Sequence, residues 1–152
     1  VKKVYIAGPQ VFRPDAEEYY LQVQQRCQAL GLYALIPWTP DPDEPAVIFQ
    51  RNVRLLTECD GVVAGVDPFR GGEPDSGTAW EIGFAYALGK PIVMWGMDYR
   101  PVAEKHAPYI TAGWAVENFG FAHNLMLVGS AKFYYRGGVL GAIEKIAEVL
   151  PR

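Results

Sequence analysis

Short uninterrupted apolar runs alternate along this chain with longer stretches in which apolar residues recur every three or four positions. Val4 to Ala7 is a run of the first kind, closed by Gly8-Pro9, and predicts a buried strand. After Asp15, apolar or small residues at Ala16, Tyr20, Val23, Cys27 and Leu30 mark one buried stripe of a helix that Gly31 ends. Leu32 to Ile36 predicts a second strand, stopped by Pro37. Trp38 to Pro45 carries three prolines and three acids and predicts a loop long enough to overhang a site. Val47, Phe49, Val53, Leu56 and Cys59 suggest a second helix, with Val47 to Phe49 its start or only its approach. Gly61 to Val66 predicts a third strand, Asp67 to Gly77 a loop, Thr78 to Leu88 a third helix and Ile92 to Trp95 a fourth strand. Beyond Trp95 the pattern loosens. It predicts a loop through Pro108, a weak fifth strand near Ala115 to Val116 and a short helix from about Ala122. A closing helix follows over Val139 to Leu150, with Leu140, Ile143, Ile146, Ala147 and Leu150 buried.

Strands without polar interruption, each followed by a helix, predict a parallel sheet covered on both faces. The expected fold is α/β: a flavodoxin-like (Rossmann-like) three-layer sandwich with a parallel five-stranded sheet, folded as one domain across residues 1–152. Such folds bind ligands outside the C-terminal ends of their strands. Four polar or glycine-rich segments fall there: Tyr5 to Phe12, Pro37 to Pro45, Asp67 to Glu81, and the loop after Trp95.

The third of these segments carries the densest chemistry. Asp75-Ser76-Gly77-Thr78-Ala79-Trp80-Glu81-Ile82-Gly83 sets two carboxylates across a loop-to-helix junction. A carboxylate in a first helical turn is favoured by the dipole and by free N–H groups, so Glu81 is expected to be ionised and held, as a nucleophile requires. The plainer reading makes Asp75 or Ser76 a helix cap and Glu81 an ordinary first-turn acid. The glycines at 71 and 72 and the apolar surroundings of Glu81 favour a lined pocket.

Composition narrows the partners. A hydrophobic fraction of 50% supports a core, and a net charge of -3 without a Lys/Arg cluster argues against nucleic acid. Cys27 and Cys59 stand outside any metal spacing and read as free thiols of a reducing, cytoplasmic setting. No window is apolar enough to span a bilayer, and Val1-Lys2-Lys3 does not open a signal peptide. His106 and His123 are too separated for a metal site. Gly8-Pro9 lacks the spacing of a dinucleotide loop, so no cofactor is expected.

Four segments together resemble the nucleoside 2-deoxyribosyltransferases: Tyr5-Ile6-Ala7-Gly8-Pro9 with Phe12; Asn52, Leu55-Leu56 and Asp60; Pro68-Phe69-Arg70-Gly71 running into Asp75 to Gly83; and Asn124-Leu125-Met126. The resemblance implies transfer of a 2-deoxyribosyl group between nucleobases in nucleoside salvage, with net retention. Glu81 matches the nucleophile, Asp75 the carboxylate facing the base and the choice for general acid, and Tyr5 the tyrosine that orients Glu81. Asn52 stands where some members carry aspartate, so it would bind the base or orient Asp75. Gly8, Phe12, Trp38 and Gly77 would line the substrate site. Asn124 and Met126 would serve the partner subunit's site, so the implied species is a homo-oligomer, at least a dimer. Its implied partners are small molecules, 2′-deoxynucleosides and free bases. Arg70 would orient a loop or stand free in solvent, and Tyr134-Tyr135 reads as packing between the last elements. Two alternatives stay open: a glycosidase acting on 2′-deoxynucleoside 5′-monophosphates, and a nucleotide-binding protein without turnover.

Overall fold

Every strand of the computed structural model, which describes residues 1–41 and 43–151, runs parallel to its neighbours. The strands are β1 (Lys2–Ala7), β2 (Leu32–Leu35), β3 (Gly61–Gly65), β4 (Ile92–Gly96) and β5 (Phe133–Arg136), ordered β2-β1-β3-β4-β5. Side chains of a strand alternate between faces, and β1 uses both. Val4 and Ile6 join one core with α1 (Ala16–Ala29) and α6 (Val139–Val149), through Tyr20, Val23, Ala142 and Ile143. Tyr5 and Ala7 join the other, with α2 (Pro45–Glu58), α3 (Ser76–Ala87) and, beyond the short α4 (Val102–His106), α5 (Leu125–Ser130). The flavodoxin-like, three-layer arrangement expected from the alternation is the one observed. Fully buried Ile82 and Ile143 tie the two helical layers to the sheet, each contributing about 1.5–3 kcal/mol of burial. Cys27 and Cys59 are free and buried, one in each core. No helix among the described residues is long and apolar enough to cross a membrane.

Several elements differ from the sequence expectation. The fifth strand is Phe133–Arg136, not Ala115 to Val116, so Tyr134 and Tyr135 pair with β4, and their side chains pack as expected, Tyr134 against one core and Tyr135 against the other beside Gly141. As an edge strand with no fully buried residue, β5 lacks the apolar run that marked the inner strands. Leu30 and Leu140, expected inside, are 37% and 42% exposed. Proline at its first turn starts α2 early enough that Val47 to Phe49 are helical, and the loop before it ends at Glu44; Pro42 lies outside the described residues. The helix expected from about Ala122 begins at Leu125, where Asn124 caps it. The region read as loop after Trp95 contains α4.

The most consequential shift is at α3. The Asp75 side chain accepts from the Thr78 amide, which draws Ser76 and Gly77 into the helix. The helix therefore starts at Ser76, its first turn holds no acid, and Glu81 sits one turn deeper than expected.

Candidate active site

The second strand leaves β1 on one side and the third on the other, which opens a crevice at the C-terminal ends of β1 and β3. A cavity of about 730 Å³ lies there, within the range of small-molecule sites. The turn after β1 supplies Gly8, Val11 and Phe12, and the loop after β2 supplies Pro37, Trp38, Thr39 and Pro40. One wall is the α2 face with Ile48, Phe49, Arg51, Asn52 and Val53. The other is the start of α3 with Asp75, Gly77, Trp80 and Glu81. Gly8 makes the sharp exit from β1: its φ is 151°, and a Cβ there would fall 2.0 Å from Gln10 Oε1.

At the cavity floor the hydroxyl of fully buried Tyr5 donates to Oε2 of Glu81. Burial pushes the Glu81 carboxyl up to about 7, the Tyr5 hydrogen bond pulls it down, and the Asp75 charge adds to the rise. The expectation of a carboxylate kept ionised by the helix terminus is thus corrected: position and desolvation leave it poised near neutrality. Burial first, and then Glu81, hold the Tyr5 phenol far above its usual range, so it stays a donor.

Asp75 is both cap and cavity wall. Its Oδ2 accepts from Thr78 N and Thr78 Oγ1, each at 3.0 Å, while Oδ1 has no hydrogen-bond partner among the described residues. Any side chain at Gly77 would crowd that carboxylate, with a Cβ 3.2 Å from Oδ2. Phe12 stacks on Phe69 at 5.7 Å, and the Arg70 guanidinium lies 4.7 and 4.6 Å from the two ring centres. Arg70 therefore rests on aromatic faces and is exposed, in keeping with the solvent-exposed reading and without the carboxylate contact. Trp38 stacks on Tyr20 at 6.1 Å.

The fold brings Gly8, Phe12, Trp38, Asn52, Asp75, Gly77 and Glu81 around one cavity, with Tyr5 beneath. Asn124 and Met126 do not reach it. The Asn124 side chain accepts from Met126 N at 2.9 Å, and Met126 is 71% exposed. His106 pairs with Glu73 at 2.6 Å, and buried His123 shares a hydrogen bond with Tyr134 at 3.1 Å. Burial holds His123 down at about 4. No group of His, Cys, Asp and Glu among the described residues could hold a metal ion.

Sequence reading missed Phe49, Arg51 and Trp80. Trp80 stacks on Phe84 at 5.1 Å and meets Phe49 at 5.7 Å, forming an aromatic rim. The available signal was helical spacing: Ile48 and Asn52, or Phe49 and Val53, lie four apart and share a side of α2.

A sequence profile of the nucleoside 2-deoxyribosyltransferases matches residues 4–126. The chain belongs to that family. It is similar to a solved 2-deoxyribosyltransferase of Leishmania mexicana, with 37% identity and a TM-score of 0.87 over 97% of this chain and 98% of that one. A Schizosaccharomyces pombe protein of uncharacterised function is 32% identical over 121 residues, covering 73% of this chain and 57% of the relative. A CMP N-glycosidase of Clostridium botulinum shares the fold alone, at 16% identity and a TM-score of 0.57 over 95% of this chain and 98% of that one.

Proposed function

We propose that the protein exchanges the base of a 2′-deoxynucleoside by double displacement at C1′, with Glu81 as nucleophile. The observation that carries this reading is a desolvated carboxylate, gripped by a buried phenol, at the floor of an aromatic cavity of nucleoside size. A Glu81 oxygen attacks C1′, the C1′–N bond breaks with its electron pair going to the base, and the sugar is held as a glutamyl ester. A second base attacks the same carbon and releases the carboxylate, so two inversions give retention. Positive charge develops on the sugar during each step, and a fixed carboxylate in a low-dielectric pocket opposes it strongly.

Tyr5 fixes which Glu81 oxygen is free to attack. Asp75, through its unpartnered Oδ1, contacts the departing base and hands it a proton. Asn52 binds the base or orients Asp75, and Phe12 and Trp38 supply stacking faces. Asn124 and Met126 act in a neighbouring subunit's site, in a homo-oligomer that is at least a dimer. The exposure of Met126 and of 43%-exposed Leu125, beside half-buried Asn124 and outside the chain's own cavity, supports that assignment.

The test is exchange between 2′-deoxyinosine and adenine, followed by chromatography. Formation of 2′-deoxyadenosine with release of hypoxanthine is expected. Free base without new nucleoside would favour a glycosidase, and ligand binding without either product a non-catalytic role.

A further inference from the structure

The geometry points to Arg51 as the residue that reads the base, through the O6 and N7 acceptors of a 6-oxopurine. The inference rests on the nucleobase assignment of the cavity made above. Arg51 stands on the α2 wall beside Asn52, with its side chain 19% exposed. Its Nη1 is held by Asp43 Oδ2 at 3.0 Å, in the loop that precedes α2. Its Nε is buried and has no partner among the described residues. Asn52 Oδ1, the next residue's acceptor, is buried and unpartnered as well. Two orphaned polar atoms on consecutive cavity residues mark a place where a polar ligand edge belongs.

The shape of the unpartnered edge sets the ligand's chemistry. Nε–H and Nη2–H form a parallel fork, and elsewhere in this chain that fork grips two oxygens. Arg13 holds Asp15 through Nε and Nη2 at 2.7 Å each, and Arg100 holds Asp98 through the same atoms at 2.9 and 2.7 Å. Asp43 occupies the far nitrogen of Arg51 and leaves the fork unengaged. A guanidinium has no lone pair to offer, so it needs two adjacent acceptors. Hypoxanthine and guanine present O6 beside N7. Adenine presents an amino group beside N7, which opposes the fork with a donor. Uracil and thymine have two carbonyls, but the N3–H donor stands between them, so neither offers two adjacent acceptors.

The same contact assists departure. When the C1′–N9 pair leaves with the base and the Glu81 oxygen replaces it on C1′, negative charge spreads over the purine toward O6 and N7. The cationic fork meets it there, and the neutralising proton passes from Asp75 to N3, the ring nitrogen the fork leaves open.

The experiment compares 2′-deoxyinosine, 2′-deoxyguanosine and 2′-deoxyadenosine as donors, alongside calorimetric binding of free hypoxanthine and adenine to the full chain. The oxopurines are expected to lead in kcat/KM and in base affinity by about tenfold or more. Arg51→Lys keeps the cation but lacks the fork, and it should erase the preference, as should Arg51→Gln. Asp43→Ala, which removes only the far contact, should keep it. Equal affinity for adenine and hypoxanthine in the unmodified protein, or equal loss on both in the Arg51 variants, would overturn the assignment. Should the variants fail to fold, the base affinities of the unmodified protein decide alone. Selective base binding with no exchange from any donor would sink the transferase reading and leave this one standing; exchange without preference would do the reverse.

Discussion

The phenol of Tyr5 and the carboxylate of Glu81 meet in a hydrogen bond that joins β1 to α3 across 76 positions of sequence. Desolvation and the Asp75 charge raise the carboxyl while this bond lowers it, and the outcome is a group near 7. Attack on C1′ requires the ionised form, so kcat/KM should rise with pH through about 7 and then level off. Tyr5→Phe removes the opposing pull and should move that rise to higher pH. A loss of about fivefold at pH 7, growing toward tenfold at lower pH and shrinking toward pH 9, corresponds to a displacement of one unit. A pH–rate profile of both proteins checks it; a parallel drop at every pH would assign Tyr5 to packing alone.

The same group links pH to stability. Glu81 holds its proton more tightly when folded, about 7 against 4.5 when unfolded, so the folded state binds the extra proton between those values. Stability from this group is therefore greatest below about pH 4.5 and is lost as pH rises through 7. Glu81→Gln, which carries no charge to desolvate, should be more stable than the unmodified protein at pH 8 by up to about 3 kcal/mol. The difference should shrink to about 1 kcal/mol or less near pH 5 and vanish below about pH 4. Urea unfolding at the two pH values measures this, and a variant weaker at pH 8 would contradict it.

Asp75 caps α3, and the proposed mechanism gives it a proton-transfer duty as well, which two substitutions separate. Asp75→Ala loses the acceptor for Thr78 N and Oγ1 and should cost about 1 kcal/mol of stability together with activity. Asp75→Asn keeps an acceptor at the cap and should retain most of the stability while losing at least about a hundredfold in kcat. Thermal melts beside steady-state rates distinguish the two; full activity in Asp75→Asn would remove Asp75 from the proton transfer.

How far the sequence could be read follows from which interactions are local. The three inner strands were legible because burial on both faces demands unbroken apolar runs such as Val62-Val63-Ala64, and the edge strand β2 because Leu32, Ala34 and Leu35 are buried. Phe133 to Arg136 was not, since an edge strand needs only backbone pairing with β4 and leaves its side chains half-exposed. The position of Glu81 was misjudged by one turn because Ser76 and Gly77 look like loop residues until the Asp75 cap is counted. The gathering of Gly8, Asp75 and Glu81 followed from the rule for strand C-termini and the place of Asn52 from the family resemblance, whereas Arg51 and Trp80 depended on how α2 and α3 face each other, which spacing alone does not fix.

Asn124 offers a test of shared sites. Asn124→Ala and Glu81→Gln should each be nearly inactive alone, and mixing the two under conditions that exchange subunits should restore activity. In a mixed pair, one site receives an intact Glu81 from its own chain and an intact Asn124 from the other. Absence of any recovery, with subunit exchange verified by native mass spectrometry, would confine each site to one chain.

The covalent ester is the point on which the account turns. Reaction with a 2′-deoxynucleoside in the absence of acceptor base, quenched in acid, digested and analysed by peptide mass spectrometry, reads it directly. One added deoxyribosyl group on Glu81, missing from Glu81→Gln and discharged on adding a base, is the expected result. Undiminished exchange by Glu81→Gln, or a sugar label on any other residue, would contradict it.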